Sequence, residues 1–307
     1  MKHCHSLEEI SLQNSWVAVG VFDGAHRGHQ QIITQLVNGA HESGATAVIL
    51  TFHPHPAKLF GRGEIKLLTL PDERAEILGS MGVDIVITHP FDRDVANIIA
   101  FDFMQRLKSR LGLVRLILGY DSTLGKNREG NAARLTEIGV ELGYFVETVS
   151  ALSDESGVIS STAIRKLVAV GKVDEAAQLM GRPYRLRGPV VRGDQRGRTI
   201  GFPTANVDYS IDKLIPLNGI YACWAVLGKE KLKAAVNIGV NPTFTPDKKS
   251  INVEAYLLDF DREIYGETLE LEFVSRLRDE LKFDSVEALA EQIGRDVEQT
   301  RTTLGTE

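Results

Sequence analysis

Three side chains in the C-terminal half have the types and spacing of a phosphoryl-transfer site. Thr204 and Asn206 stand two apart in Gly201-Phe-Pro-Thr-Ala-Asn206, so on a β-strand both point to the same side. A hydroxyl and an amide oxygen placed in this way are hard donors that suit Mg2+ carried on a nucleotide. Upstream, Gly193, Gly197 and Gly201 recur every four residues, with Arg196 and Arg198 among them. A loop of that make-up can fold its backbone over phosphates; a long glycine hairpin with a satisfied polar pair is the alternative. Glu254 lies among apolar neighbours in Val253-Glu-Ala-Tyr-Leu-Leu-Asp259. A carboxylate near a core is costly unless it is paired or used. The use would be as a general base taking a proton from a hydroxyl nucleophile, the alternative an edge-strand glutamate facing water. Downstream, Arg276 and Arg278 open Arg276-Leu-Arg-Asp-Glu-Leu-Lys-Phe283. That run reads as a solvated charge stretch or as cover for a planar ligand.

The N-terminal half has a second constellation. An apolar run leads into Val21-Phe-Asp-Gly-Ala-His-Arg-Gly-His-Gln30, and a helical pattern follows. Gly24 and Gly28 allow the backbone to approach a ligand closely, and a helix start suits phosphate. His26 and His29 are three apart, so both can face one site and donate to phosphate oxygens. The plainer reading is a strand–helix turn with two surface histidines. A zinc reading would add His53 and His55, whose distance the sequence leaves open. Thr51-Phe-His-Pro-His-Pro56 ends the second apolar run; its two prolines argue against regular structure and for a stiff loop, either a rigid turn or a cleft lining. Ile159-Ser-Ser-Thr-Ala-Ile-Arg165 stacks hydroxyls at a helix start, with Ser160 or Ser161 as N-cap and Arg165 about one turn on. Gly119–Lys126 fails as a P-loop, having five residues between its glycines and Asn127 where Ser or Thr is needed.

The elements that must hold these groups follow two rhythms. From Ser15 to about Gly181, short apolar runs alternate with helical patterns, which implies an α/β unit with a doubly wound parallel sheet. Ligands bind such sheets beyond the carboxyl ends of the strands. After Gly181 the spacing predicts β-strands at Tyr184–Val191, Gly219–Leu227, Leu232–Ile238, Val253–Leu258 and Leu269–Phe273. A single helix follows, capped by Asp284 or Ser285, with Val286, Leu289, Ile293 and Val297 on one face. This second rhythm reads as a small antiparallel β-barrel closed by a C-terminal helix. The boundary is expected near Gly181-Arg182-Pro183, with domains 1–181 and 182–307.

Composition narrows the partners. The 307 residues suit two domains. A net charge of −6 argues against nucleic acid as the main partner. Two cysteines, Cys4 and Cys223, make no disulfide framework and point to a reduced, cytoplasmic setting, with Cys223 in the core. His3-Cys4-His5 is expected to be a frayed terminus. No apolar run reaches the roughly 20 residues of a membrane span, and no signal peptide is seen.

Taken together, His26-Arg-Gly-His29, Thr51-Phe-x-Pro-His-Pro56 and Ile159-Ser-Ser-Thr-x-x-Arg165 resemble the nucleotidyltransferase module of bacterial bifunctional FAD synthetases. The resemblance covers nearly the whole N-terminal half and implies a Rossmann-like fold that joins FMN to ATP. It implies that His26 and His29 act on the ATP phosphates and that Ser160, Ser161, Thr162 and Arg165 form a second phosphate-gripping segment. Gly20, Phe22, Asp23, Gly24, Gly28, His53 and Asp121 would complete the nucleotide and flavin contacts. One departure stands out: the family has an aspartate followed by Phe-x-Phe-Gly, whereas this chain reads Asp121-Ser-Thr-Leu-Gly125, with Ser122 and Leu124 in place of the aromatics. Gly201–Asn206, Asn237-Ile-Gly-x-Asn-Pro-Thr243, Glu254 in its strand and Arg276–Phe283 resemble the riboflavin kinase domain, over essentially all of residues 182–307. That likeness implies Mg2+ and phosphate held by Thr204 and Asn206, with Glu254 deprotonating the ribityl 5′-hydroxyl. Gly193, Gly197, Arg198, Gly201, Pro203, Arg276 and Arg278 would touch ATP or flavin. The substrates implied are riboflavin, FMN and ATP, with Mg2+. A module of changed acceptor specificity and a non-catalytic flavin-binding regulator are the rivals.

Overall fold

Val17 and Val19 turn to one side of a sheet and Ala18 to the other, and all three are buried. A strand buried on both faces is the mark of a parallel sheet covered by helices on each side. The computed structural model, which describes residues 1–61, 65–154, 157–193, 197, 200–240 and 251–305, builds that sheet in the first of two compact units, Met1–Ser161 and Thr162–Glu307.

The first unit runs β1 (Lys2–Cys4), β2 (Ser15–Val19), α1 (Arg27–Glu42), β3 (Thr46–His53), α2 (Pro56–Leu59), α3 (Pro71–Ser80), β4 (Ile85–Pro90), α4 (Arg93–Ala96), α5 (Ala100–Leu111), β5 (Leu113–Gly119), α6 (Ala132–Leu142) and β6 (Phe145–Val149), with a small hairpin of β7 (Ser153–Asp154) and β8 (Gly157–Val158). The six-stranded sheet has the order β1-β4-β3-β2-β5-β6, with every neighbouring pair parallel. The chain winds outward from β2 through β3 to β4, then returns to the other side of β2 with β5. The reversal between β2 and β5 opens a crevice at their carboxyl ends, where ligands of such sheets sit. One core, under α1 and α3, takes Ala18, Ile33, Leu36, Ile49, Ala75, Leu78 and Val86. The opposite core, under α5 and α6, takes Val17, Val19, Leu50, Phe103, Leu107 and Leu135.

The second unit begins with α7 (Ser161–Ala169, whose first residue closes the first unit) and α8 (Val173–Met180). It continues with β9 (Tyr184–Val191), β10 (Ala205–Val207), β11 (Gly219–Leu227), β12 (Glu230–Val240), β13 (Ile251–Leu257), β14 (Thr268–Arg278) and α9 (Val286–Leu304). The six strands close into a barrel, β10-β13-β12-β11-β14-β9, all neighbours antiparallel. Strict alternation along β9 buries Tyr184, Leu186, Gly188 and Val190 inside. Tyr184, Tyr221 and Phe273 are wholly buried, the last two in an edge-to-face pair 5.3 Å apart. Ser285 caps α9 by accepting from the Ala288 amide.

Several expectations need correction. His3-Cys4-His5 is not frayed: Lys2–Cys4 pairs with β4, and Cys4 is fully buried. The packing groups α7 and α8 with the barrel: α8 rests on β14 and β9, and the Leu217 amide donates to the Val168 carbonyl of α7. The second proline of the Pro54/Pro56 pair does not prevent a helix. Pro56 opens α2, where its missing N–H costs nothing, and His55 caps it by accepting from the Ala57 amide. Val286 is exposed, so the buried stripe of α9 starts later, with Ile293 and Val297 against Ala235 and Leu258.

Candidate functional sites in the two units

The turn after β2 is wound tightly. Phe22 (φ 51°), Gly24 (φ 78°) and Ala25 (φ 36°) all have left-handed backbones, a conformation that costs non-glycine residues of order 1–3 kcal/mol each. A Cβ on Gly24 would also lie 2.8 Å from Leu68 Cδ1. Hydrogen bonds hold the turn. The buried Asp23 carboxylate accepts from Leu68 N (3.1 Å), Thr69 N (2.9 Å) and Thr69 Oγ1 (3.1 Å), while Gly24 N donates to that same hydroxyl at 2.9 Å. The Val21 carbonyl accepts from Thr51 Oγ1 (2.8 Å) and Arg74 Nη1 (2.9 Å). Asp23 therefore shapes the turn from beneath.

His26 is the N-cap of α1, and its Nδ1 accepts from the His29 amide at 3.4 Å. The two imidazoles stack with centroids 3.7 Å apart and planes 20° from parallel, and Phe22 meets His29 edge-on at 5.1 Å. A Cβ on Gly28 would stand 3.3 Å from the His26 ring and 3.6 Å from the Ile159 carbonyl. Ser161 Oγ donates to the Asp23 carbonyl at 2.8 Å. The histidine turn and the serine segment, well over a hundred positions apart in the chain, are thus fastened together. Thr162 and Arg165 follow on α7. His53 ends β3 on the same rim, its carbonyl accepting from Phe91 N at 3.1 Å. Gly20 closes β2, its amide bound to the Leu50 carbonyl.

Asp121 sits in the turn after β5, across the crevice from the β2 turn. Ser122 N donates to the Gly119 carbonyl at 3.0 Å, and a Cβ on Gly119 would meet Ser122 Oγ at 3.2 Å. Leu124 is buried in the core that holds Ala100 and Phe103, whereas Tyr120 is 53% exposed. Of the two positions that depart from the family pattern, one thus faces inward.

In the second unit, register decides the site. Asn206 of β10 is directly opposite Glu254 of β13, and Asn237 of β12 is opposite Glu254 on its other flank. Direct partners in such a ladder have Cβ atoms about 4.5–5.5 Å apart. Their neighbours Ala205, Val207, Val253, Ala255, Val236 and Ile238 are buried in the barrel, so the three polar residues share its outer face. Glu254 is on no edge strand. Two glycines come close to this segment: a Cβ on Gly193 would fall 2.3 Å from Asn206 Nδ2, and one on Gly197 would fall 2.2 Å from the Phe202 carbonyl and 3.7 Å from Thr204 Oγ1. Gly201 has φ 85°, a left-handed value that glycine adopts without strain. A cavity of about 160 Å3 adjoins, lined by Val190, Pro203, Thr204, Phe260, Ile264 and Tyr265 among others, and the Arg192 guanidinium lies over the Tyr265 ring at 5.3 Å.

The two arginines at the end of β14 are paired within the unit. Arg278 forms a two-pronged pair with Asp296 of α9, Nε to Oδ1 at 2.8 Å and Nη2 to Oδ2 at 2.6 Å. Arg276 Nη2 donates to Asp279 Oδ1 at 2.6 Å and to the Asn218 carbonyl. Arg196, Arg198 and Asn241–Thr243 lie outside the described residues. Among the described residues, no group of three or more His, Cys, Asp or Glu side chains is arranged to hold a metal, and no helix is long and apolar enough to cross a membrane.

Comparison with known proteins agrees with both halves. Residues 8–163 match the FAD synthetase family model and residues 180–304 the riboflavin kinase model. The bifunctional riboflavin kinase/FMN adenylyltransferase of Listeria monocytogenes is 37% identical over 303 residues, covering 98% of this chain and 96% of the relative.

This chain belongs to the bifunctional riboflavin kinase/FMN adenylyltransferase family.

The Bacillus subtilis member is 34% identical, covering 97% of this chain and 95% of its own length, and that of Escherichia coli K12 is 33% identical, covering 98% and 96%. A Streptococcus pneumoniae crystal structure matches with a TM-score of 0.89 at 32% identity, covering 97% of this chain and 98% of that one. It bears the name macrolide-efflux protein, while both family models and the curated relatives name flavin chemistry.

Reading by family motif passed over several residues that the fold brings to these sites. Thr69 and Arg74 lie in no recognisable motif, although Arg74 falls on the apolar stripe of α3 with Ala75, Ile77 and Leu78, an unusual place for a cation. Asn237 stands in a quoted motif, yet only strand register shows it flanking Glu254. Phe260 closes a motif of the barrel strand, but Ile264 and Tyr265 were hidden because a turn that mixes them with Asp261, Arg262 and Glu263 has no chemical signature.

Proposed function

We propose that this chain makes both flavin cofactors in succession, the second unit phosphorylating riboflavin to FMN with ATP and the first transferring AMP from ATP to FMN, giving FAD and pyrophosphate. The observation that carries the reading is the Asn206–Glu254 cross-strand pair under Gly193. It sets a carboxylate beside two amides, Asn206 and Asn237, with Gly193 close against the first.

In the second unit, Glu254 takes the proton of the ribityl 5′-hydroxyl as its oxygen attacks the γ-phosphorus of ATP, and ADP departs. The nucleotide lies in the cavity beside Thr204, with the glycine loop over its phosphates. Thr204 Oγ1 and the Asn206 amide oxygen, neutral and hard, fit Mg2+ and would hold it. The metal supplies neutralisation of phosphate charge when bound. In the first unit the nucleophile is an FMN phosphate oxygen, already anionic, so no base is required there. It attacks the α-phosphorus and pyrophosphate leaves. His26 and His29 supply donors to the phosphates from the start of α1, and Ser160 and Ser161 close the pocket from the other side.

A product assay on the purified chain tests this. Riboflavin, ATP and Mg2+ should give FMN first and FAD after it, whereas FMN supplied alone with ATP should go straight to FAD. Failure to form FMN would reject the kinase reading. FMN formation without FAD would instead favour a first unit of altered acceptor, as Ser122 and Leu124 in place of aromatics suggest.

A further inference from the structure

The least comfortable charge in the first unit is Arg74. Its side chain is only 1% exposed, and among the described residues it makes one hydrogen bond, Nη1 to the Val21 carbonyl at 2.9 Å. Neither Nε nor Nη2 has a hydrogen-bond partner among the described residues. Burial pulls the guanidinium pKa down, opposed by the nearby Asp23 and Glu73 carboxylates, but arginine remains cationic in proteins. The neighbouring Asp23 carboxylate takes its own hydrogen bonds from Leu68 and Thr69. A buried cation with unsatisfied donors is destabilising, and an apolar side chain of equal volume in its place is often neutral or better. Such a feature calls for a function.

We infer that Arg74 is a positioning residue for adenylyl transfer, a permanent positive charge behind the phosphate-facing turn that steadies the Val21 carbonyl and draws the triphosphate toward the His26–His29 stack. Three observations converge on this. The carbonyl it grips immediately precedes the left-handed residues Phe22, Gly24 and Ala25. Thr51 Oγ1 grips the same carbonyl at 2.8 Å, so geometry alone has a second anchor and the distinct contribution of Arg74 is its charge. Its burial keeps solvent ions away, so apart from the nearby Asp23 and Glu73 carboxylates, which offset part of the charge, its field is weakly screened. The inference rests on the adenylyltransferase reading of the first unit.

Arg74→Met and Arg74→Lys, each in the full chain, separate charge from packing. FMN formation by the second unit serves as the internal control for folding and ATP quality. Arg74→Met is expected to keep the wild-type melting temperature or exceed it, to leave FMN formation unchanged, and to raise the KM for ATP in FAD formation on the order of tenfold or more. Arg74→Lys should restore most of that loss. The inference is overturned if Arg74→Met makes FAD with the wild-type KM for ATP. It is equally overturned if Met is tolerated better than Lys, since packing would then be the whole role. A wild-type chain that forms FMN but no FAD would instead remove the adenylyltransferase reading itself, and this inference with it.

Discussion

Asn206 and Glu254 face each other across β10 and β13, and Asn237 stands on the far flank of the same glutamate. Side chains that are neighbours on three adjacent strands of a closed barrel keep their spacing without help from a ligand. A site built in this way makes sharp demands on single substitutions.

Glu254→Gln keeps the shape of the row and removes its base. FMN formation is expected to fall by roughly 10²–10⁴-fold. FAD formation from supplied FMN, measured on the same preparation by separating the flavins chromatographically, should be unchanged. Equal loss of both steps would mean that the two reactions do not have separate sites.

Gly193→Ala puts a methyl group where Asn206 Nδ2 now lies 2.3 Å from the Cβ position. The loop or the amide must shift, and displacement by about an ångström costs up to about 10²-fold in rate. The kinase kcat should drop while the melting temperature stays within a few degrees of wild type. Unaltered kinase kinetics would show that this close approach has no catalytic importance.

His29→Ala removes one ring of the 3.7 Å imidazole stack. FAD formation should fall by roughly 10²-fold, as for loss of one donor to a developing charge, with riboflavin phosphorylation intact. Full FAD activity in this variant would exclude a phosphate role for that ring.

Arg278→Met leaves Asp296, whose side chain is 4% exposed, without its cation. Stranding a buried charge costs about 3–5 kcal/mol, readable by chemical denaturation of the second unit. The double variant Arg278→Met/Asp296→Leu should recover much of the loss. No recovery would mean that packing rather than charge pairing holds α9 to the barrel.

His89 gives the first unit an acid sensitivity. Its Nδ1 accepts from the Leu7 amide at 3.2 Å, which requires a lone pair on that nitrogen, and burial, the leading cause, lowers its pKa from 6.5 against a smaller opposing pull from Glu8. The unfolded chain therefore binds a proton at a higher pH than the folded one. The stabilisation is complete above the unfolded value near 6.5 and is lost as pH falls through the lower folded value. Melting temperature should decline with acidification below that point, and His89→Gln should flatten the decline. An equally steep profile in the variant would place the sensitivity in other groups.

How much of this was legible beforehand depended on range. The two rhythms of apolar residues foretold a parallel sheet followed by a barrel, because side-chain periodicity is local. The His26–His29 turn was visible for the same reason, whereas Thr204 proves to precede β10 and so stands outside the strand expected to hold it with Asn206. Contacts between distant segments were not. Edge strand β1 was taken for a loose end, since three residues carry no pattern and only pairing with β4 orders them. The pairing of Arg278 with Asp296, 18 positions on, announces itself only through the docking of α9. Helix α8 was missed between two helix-breaking glycines, Gly171 and Gly181, although Val173, Ala176, Leu179 and Met180 bury one side of it.

A barrel whose strands close on themselves has no seam to open. The staves that bear Asn206, Glu254 and Asn237 cannot slide to suit a longer or shorter sugar arm on an unnatural flavin. Reshaping this enzyme for analogues is therefore work for the rim, at Phe260, Ile264 and Tyr265, where substitutions change the mouth and leave the chemistry in place.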